Sequence, residues 1–172
     1  MDIVVCGKII PASTVTAEID PATKRMVRKG VAHELDPAAA SAVEEGLRLM
    51  EKVDGTVTLV TMGFNEITIG IRTALAMGAT SAIHIFDDAL AGSDALSTAK
   101  ALAAAIRKKP FDLIICGRQA SDWDNAQVPL GVAEILGMSC ITLGRKVDIA
   151  GDKVLVERLI PDGYEVVETS LP

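Results

Sequence analysis

A short polar segment at residues 117–128 carries most of the side chains in this chain that could do chemistry. Its polar members, with the glycine that opens it, are Gly117, Arg118, Gln119, Ser121, Asp122, Asp124, Asn125 and Gln127. Carboxylates and amides at this density suit hydrogen bonds to ribose hydroxyls or to an amide-bearing ring. The arginine suits a phosphate or an ion pair with an acid of the same segment. The segment is therefore a candidate ligand site.

Two other interpretations of this segment stay open. Asp122 and Asp124 could act as paired catalytic carboxylates, as in a hydrolase. A solvated, capped turn before a helix would use the same residue types without any ligand. Trp123, the only tryptophan, suits either stacking on a ligand ring or exposure at a surface or interface.

Backbone amides at the end of the segment form a second set of possible ligand groups. Pro129 suits the first turn of a helix, where its missing N–H is not needed, so the amides of residues 125–128 are predicted to be free donors. Free amides and a helix dipole together attract phosphate. The common phosphate-binding signatures GxGxxG and GxxxxGK followed by Ser or Thr do not occur in the sequence.

The elements that position this segment alternate between strand and helix. Apolar, β-branched runs at residues 3–6, 56–61, 81–86 and 113–116 predict strands, with amphipathic helix patterns between them and after the last. This alternation predicts a doubly wound, mostly parallel α/β sheet with helices on both faces. The polar segment follows the fourth strand, and ligands of such sheets bind outside the carboxyl ends of the strands.

Two segments depart from the alternation. Three strand-like runs at residues 140–149, 153–160 and 164–171 are joined by short turn signals and predict an antiparallel meander. In residues 9–35, apolar residues alternate with other residues beside an Asp-Pro turn. This pattern indicates a β-ribbon or another ordered excursion.

Local signals predict where the helices begin and which faces they bury. Asp36 and Pro37 are expected as the N-cap and first residue of the first helix, and Asn65 as the cap of the second. Ser93 or Asp94 is expected to cap the third. The residues predicted to face the sheet are Ala40, Val43, Leu47, Met50, Ile67, Ile71, Ala74, Leu75, Leu96, Ala99, Ala103 and Ile106.

Composition restricts the class of protein. The chain has 172 residues, 49% of them hydrophobic, which is enough for one domain at residues 1–172 that includes the meander. A net charge of −6 argues against general binding to nucleic acid or anionic membranes. Three widely spaced cysteines, no apolar membrane span and no secretory signal predict a cytoplasmic location. We expect no metal site, and no ligand or catalytic role for the isolated His33 and His84.

Three sequence blocks together resemble one known family. They are GRQASDWDNAQV at residues 117–128, Asp36-Pro37 followed by AVEEGLRL, and RTALAMGA at residues 72–79. In this order and spacing they resemble the β subunit of electron transfer flavoprotein. The resemblance runs from the first strand through Leu171 and Pro172.

The resemblance implies a non-catalytic electron carrier subunit with an adenine-nucleotide α-hydrolase-like fold. In this family an α subunit holds an FAD that takes electrons from partner dehydrogenases and passes them to a quinone-linked or other acceptor oxidoreductase. The β subunit holds AMP or, in electron-bifurcating relatives, a second FAD. Carried over residue by residue, the cofactor-binding positions are Cys6, Asp36, Pro37, Ala38, Ala39, Met62, Gly117, Arg118, Gln119, Ala120, Ser121, Asp122, Trp123, Asp124, Asn125, Ala126, Gln127 and Val128.

The chain departs from the family pattern in several places. Asp36 stands where the family usually has asparagine, which adds a negative charge near a phosphate. The run at residues 126–128 is closer to the loop of FAD-binding members than to that of AMP-binding members and slightly favours FAD, although Trp123 replaces a small residue there. Family β subunits continue beyond Pro172, so we expect a nucleotide-binding domain without the C-terminal arm.

Alternative functions stay open beside this resemblance. A stand-alone adenine-nucleotide-binding regulatory or stress-type module would need a glycine-rich phosphate loop after the fourth strand. A purely structural subunit would have a closed, vestigial crevice.

Overall fold

The computed structural model describes residues 1–171, in which nine strands and four α-helices follow one another. In chain order they are β1 (Asp2–Cys6), β2 (Ile9–Pro11), β3 (His33–Leu35), α1 (Pro37–Met50), β4 (Thr56–Met62), α2 (Thr68–Met77), β5 (Ser81–Ile85), α3 (Ala95–Ile106), β6 (Leu113–Cys116), α4 (Val128–Leu136), β7 (Gly144–Ala150), β8 (Lys153–Ile160) and β9 (Gly163–Ser170). Single 3₁₀ turns at Asn65–Ile67 and Asp88–Leu90 precede α2 and α3.

Four strands form the parallel sheet that the alternating pattern predicts. Their order is β5-β4-β1-β6, and each neighbouring pair is parallel. The two central strands are buried on both sides, mostly by apolar residues, and Val5, Leu59 and Val60 are fully buried. Strands of this kind need cover on both faces, because neither face can meet water.

Helices cover both faces, so the predicted doubly wound α/β fold is confirmed. Helices α1 and α2 pack on the face formed by Val5 and Leu59, and α3 and α4 pack on the face formed by Val4 and Val60. The fit between α3 and α4 is close, since a Cβ placed on Gly131 would lie 2.9 Å from the Cβ of Ala99.

The antiparallel meander is also confirmed, with a later start than predicted. Strands β7, β8 and β9 pair in sequence order, but the first begins at Gly144, not at Cys140. Helix α4 ends at a left-handed Gly137, and the chain turns again at Leu143, where φ is 59°. These two turns keep the intervening residues out of the ladder. Pro172, included in the predicted domain and meander, lies outside the described residues.

Two predicted helix features are wrong. Asn65 does not cap α2, because a 3₁₀ turn intervenes and the helix begins at Thr68 without a side-chain cap. Leu75 and Leu96, which were expected to face the sheet, are 41% and 56% exposed. Each lies on the edge of its helix, and small residues such as Ala74 and Ala99 make the fully buried contacts instead.

The buried face of α1 is rotated from the predicted one. Ala39, Ala42, Val43, Gly46 and Leu49 are buried, whereas Ala40, Leu47 and Met50 are only partly covered. A Cβ on Gly46 would lie 3.5 Å from side-chain atoms of Val5 and Val57. The helix therefore approaches the sheet closely at Gly46, with Val43 and Leu49 buried beside it and Leu47 and Met50 toward its flanks.

Residues 9–35 form the predicted ribbon. Strands β2 and β3 pair antiparallel at its base, and a bridge between Ile19 and Met26 pairs its two arms farther out. At the tip, Asp20 accepts hydrogen bonds from the amides of Ala22 and Thr23. The ribbon is inserted between β1 and α1, where a doubly wound domain normally has a short turn.

Two side chains of helix α1, those of Glu45 and Arg48, bind the backbone of the antiparallel sheet. Glu45 accepts a hydrogen bond of 2.7 Å from the Val147 amide, and Arg48 donates one of 2.6 Å to the Val147 carbonyl. Arg48 also donates to both oxygens of Glu45, at 2.8 and 2.6 Å. The two side chains thus satisfy the backbone of edge strand β7 as a neighbouring strand would.

The acids at this junction are held in their charged forms. Burial acts to raise the pKa of Glu45, but hydrogen bonds from Arg48 and Val147 outweigh it and keep the pKa below the ordinary value of 4.5. Hydrogen bonds from Lys146 and Lys52 lower the pKa of Asp148 to about 2. The junction is therefore strongest when both carboxyls are ionised.

No helix among residues 1–171 is long and apolar enough to cross a membrane. The cytoplasmic location stays a prediction.

Removing the Glu45 carboxylate should weaken the junction between α1 and β7. Glu45→Ala leaves the Val147 amide and the Arg48 guanidinium without their acceptor, so we expect the free energy of unfolding to fall by about 1–3 kcal/mol in urea denaturation at pH 7. Glu44→Ala, on the exposed side of the same helix, is the matched control and should change it by less than about 0.5 kcal/mol. Equal losses in the two variants would contradict this account.

The same junction should weaken in acid. The pKa of Glu45 is lower in the folded chain than its ordinary value of 4.5, so its stabilisation is full above that pH and is lost as the pH falls through the folded pKa. The stability advantage of the wild-type chain over Glu45→Ala should therefore shrink below pH 4.5, measured by urea titrations at several pH values. An advantage that stays constant into acid would show that the carboxylate charge is not responsible.

Candidate functional site

The predicted site residues lie at the carboxyl edge of the parallel sheet, where strand order reverses. From β1 the chain moves outward to β4 and β5 and then returns to β6 on the other side of β1. Helix α1 packs on one face and α4 on the other, so the ends of β1 and β6 are the place where sheets of this kind form a ligand-binding crevice. Cys6 and Cys116, the last residues of these strands, are register partners there.

The first turn of α1 is wedged against the ends of both strands. A Cβ placed on Gly117 would lie 2.8 Å from the carbonyl carbon of Ala38 and 2.9 Å from its oxygen. A Cβ on Gly7 would lie 3.2 Å from the Cβ of Ala39. Because Gly117 meets backbone atoms that cannot move aside, only a residue without a Cβ permits this approach.

A buried carboxylate joins α1 to the loop that follows β6. Asp36 is 1% exposed, and its Oδ1 accepts a hydrogen bond of 2.9 Å from the Ala38 amide, which confirms it as the N-cap. Its Oδ2 accepts one of 2.7 Å from the amide of Ser121. An asparagine has only one acceptor oxygen, so aspartate is the residue that suits two amide donors at this position.

A second carboxylate, that of Asp122 in the loop, is bound by two cations. Asp122 Oδ1 accepts a hydrogen bond of 2.6 Å from Lys8, which follows β1, and Oδ2 accepts one of 2.9 Å from Arg28 in the ribbon. The Asp122 side chain is only 6% exposed. Burial acts to raise its pKa, but the hydrogen bonds and charges of Lys8 and Arg28 outweigh burial and keep the pKa below its ordinary value. We call Lys8, Arg28 and Asp122 the clasp.

The end of the loop has an unusual backbone conformation. Asp124 and Ala126 have φ values of 52° and 53°, in the left-handed region that side chains disfavour, while Gln127 is right-handed. Alternating hands turn successive amides to one side and form an anion-binding concavity. The Gln127 amide makes only a long contact of 3.4 Å, to Asn125 Oδ1. Helix α4 then begins at Val128 with Pro129 in its first turn, as predicted.

The remaining predicted positions differ in their surroundings. Cys6 and Met62 pack on the face covered by α3 and α4. A hydrogen bond with Cys116 and burial raise the pKa of the Cys6 thiol, so this wall of the crevice carries no charge from Cys6 at neutral pH. The side chains that project into solvent are Arg118, Trp123, Asp124, Asn125 and Gln127, and Trp123 is 66% exposed.

The structure therefore brings together some of the predicted residues and adds others. Residues 6, 36–39, 117 and 121 surround the junction of β1, β6 and α1. The sequence predicts Arg118 as one possible ion partner for an acid of its own loop, but the cations on Asp122 are Lys8 and Arg28. Lys8 follows the predicted strand β1 at the carboxyl edge of the sheet. This position is a signal that could have identified Lys8 as a residue of the site. No sequence signal links Arg28 to an acid 94 residues away.

The two histidines lie in different surroundings. His84 Nε2 lies 2.8 Å from the carbonyl oxygen of Gly63. His33 is buried with its ring edge-on to Phe64, the centroids 5.4 Å apart. Within residues 1–171 no three histidine, cysteine or acidic side chains are grouped so that they could hold a metal ion.

Adding a methyl group at Gly117 should separate the loop from α1. Gly117→Ala puts a Cβ within 2.9 Å of Ala38 backbone atoms, so we expect a loss of about 1–3 kcal/mol in unfolding free energy. We also expect faster hydrogen exchange at the Ser121 amide, which donates to Asp36. Gly46→Ala, whose Cβ would meet its neighbours at 3.5 Å, is the control and should leave that amide protected. Unchanged Ser121 exchange in Gly117→Ala would contradict this prediction.

Comparison with known proteins identifies the family. The family model described as the electron transfer flavoprotein domain matches residues 23–172. The whole chain is 46% identical to an electron transfer flavoprotein subunit beta of Thermoanaerobacterium thermosaccharolyticum, over 66% of that protein's length. It is 41% identical to the caffeyl-CoA reductase-Etf complex subunit CarD of Acetobacterium woodii, over 66% of its length, and 42% identical to the protein FixA of Azotobacter vinelandii, over 63%.

The similarity to these three relatives covers the whole of this chain. The chain spans slightly under two thirds of their length. The family model covers β4, β5 and β6, the start of α1 from Asp36 and the loop at residues 117–128, whereas β1 lies before its first matched residue. The chain belongs to the electron transfer flavoprotein family, and it resembles the β subunits of that family.

Proposed function

We propose that the crevice between β1 and β6 binds an adenine nucleotide, AMP or FAD, and that the chain acts as the β subunit of an electron transfer flavoprotein. The observation that carries this proposal is the close approach of Gly117 to the backbone of Ala38. A Cβ placed on Gly117 would lie 2.8 Å from the Ala38 carbonyl carbon. It brings the start of α1 and the polar loop to the same point of the crevice. Open α/β sheets bind nucleotides at this point.

The donor groups present suit an adenine nucleotide. The loop amides at residues 126–128, at the start of α4, suit a phosphate group. The exposed side chains of Asp124, Asn125 and Gln127 suit hydrogen bonds to ribose hydroxyls or to the polar edge of a ring. Cys6 and Met62 supply an apolar wall. The proposed site therefore comprises Cys6, residues 36–39, Met62 and residues 117–128.

The residues of this chain would bind and orient the nucleotide. FAD, when bound, supplies redox chemistry of its own, whereas AMP supplies none. Asp36 holds the loop against α1 through two backbone amides, one on each of its carboxylate oxygens. Trp123 lies in solvent at the loop tip, where it can shield a ring or contact a partner subunit.

The partners and setting follow from the same proposal. The relatives' names describe electron transfer flavoprotein subunits and a subunit of a caffeyl-CoA reductase-Etf complex. We infer an α subunit that carries an FAD, partner dehydrogenases as electron donors and a quinone-linked or other acceptor oxidoreductase. We further propose that residues 1–172 act as one nucleotide-binding domain, in the cytoplasm.

The hydrolase alternative has little support from the loop geometry. Both oxygens of Asp122 accept hydrogen bonds from cations, and its pKa lies below the ordinary value, which is unsuited to a general acid. Asp124 is exposed and has no such environment. Asp122 therefore has the surroundings of a structural ion pair and not those of a general acid.

Release of the bound ligand tests the proposed function. The chain is co-expressed with an α subunit, purified without added nucleotide and denatured, and the supernatant is analysed by mass spectrometry and absorbance. We expect one adenine nucleotide per chain in addition to the FAD of the α subunit. A second FAD would identify a flavin in this crevice, and one AMP would identify a structural nucleotide. Absence of any adenine nucleotide from this chain, together with no binding of added AMP or FAD at micromolar concentration, would contradict the proposal.

A further inference from the structure

We propose that Lys8 and Arg28 are positioning residues of the nucleotide site, which set its affinity by holding the loop at residues 117–128 through Asp122. This inference rests on the proposed function, because it concerns how the same crevice is kept in its binding form. Neither cation is among the positions that the family resemblance places in the site. The inference therefore adds the ribbon and the exit of β1 to the machinery of the crevice.

The clasp saturates a carboxylate that is withdrawn from solvent. Lys8 and Arg28 take different oxygens of Asp122, at 2.6 and 2.9 Å, so neither can replace the other. The Asp122 side chain is 6% exposed, whereas those of Lys8 and Arg28 are 39% and 28% exposed. Loss of one cation would leave a largely buried oxygen without a partner, which favours movement of Asp122 toward water.

Two adjacent loop residues are anchored by three separate elements. The Ser121 amide donates to Asp36 at the start of α1, and the next residue, Asp122, is held by Lys8 after β1 and by Arg28 in the ribbon. The backbone carbonyl oxygen of Lys8 also accepts a hydrogen bond of 3.0 Å from the Asp36 amide. Lys8 therefore contacts both Asp36, which caps α1, and Asp122 of the clasp. Movement of Asp122 would disturb both contacts.

The ribbon extends across the carboxyl edge of the sheet between two loops. A Cβ placed on Gly92, in the loop after β5, would lie 2.7 Å from the guanidinium carbon of Arg25. Arg28, three residues farther along the ribbon, reaches the loop after β6. The ribbon thus touches the loops at both ends of the edge, and the clasp is its ion pair with the loop of the proposed site. Loosening the clasp should release the loop and this part of the ribbon together.

Three substitutions test the inference against a matched control. Lys8→Met and Arg28→Met remove each cation but keep an unbranched apolar stem, and Asp122→Asn removes the shared charge. Lys29→Met is the control, because Lys29 is the exposed neighbour of Arg28 and the charge change is the same. In the complex with an α subunit, we expect each clasp variant to lower the affinity for added AMP or FAD about tenfold and the control to leave it unchanged.

Hydrogen exchange without nucleotide separates positioning from direct ligand contact. If Lys8 and Arg28 act through Asp122, amide exchange at residues 119–127 should be faster in each clasp variant before any nucleotide is added. In the double variant Arg28→Met with Asp122→Asn, the loss of affinity should be smaller than the product of the two single losses.

Several outcomes would overturn the inference. Unchanged affinity in the clasp variants, with wild-type protein that binds nucleotide, would leave the proposed function intact and refute the positioning role. Weaker binding with unchanged loop exchange would make the cations direct ligands and also refute it. Wild-type protein that binds no adenine nucleotide would refute the proposed function itself, and the inference with it.

Discussion

The arrangement of the crevice depends on the buried carboxylate of Asp36. It accepts one amide from the helix that it caps and one from Ser121, 85 residues away in sequence. A carboxylate with 1% exposure needs such donors, since burial without them would be strongly unfavourable. The helix start and the loop after β6 therefore have to stay together for the charge to be satisfied. This requirement places the two parts of the proposed site at one point.

The close packing around this carboxylate leaves little freedom for the loop. Gly117 approaches the backbone of Ala38, and beyond Ser121 the clasp holds Asp122 by two further hydrogen bonds. After these anchors the chain adopts two left-handed residues and projects its polar side chains outward. Strained backbone of this kind persists where surrounding contacts over-determine it, and it occurs frequently at ligand sites. The loop is thus held by several contacts at its base and exposed at its end.

The antiparallel sheet is attached at a different place and by different means. Glu45 and Arg48 bind the backbone of Val147 on the side of α1, while the N-terminal end of the same helix contributes to the crevice. One helix therefore connects the candidate site and the meander. The two attachments use different residues at different positions along the helix.

The sequence by itself determined the fold class, the N-cap at Asp36, the order of strands and helices along the chain, and the loop most suited to a ligand. These features depend on local signals: β-branched runs, an Asp-Pro helix start and clustered polar residues between elements. Only the tertiary structure decided which face of α1 is buried, that Leu75 and Leu96 are exposed, and that Lys8 and Arg28 neutralise Asp122. Helix orientation depends on where small residues let it approach the sheet, and ion pairs depend on which loops the topology brings together. Both are properties of contacts between residues far apart in the chain, and short-range periodicity and spacing carry no information about them.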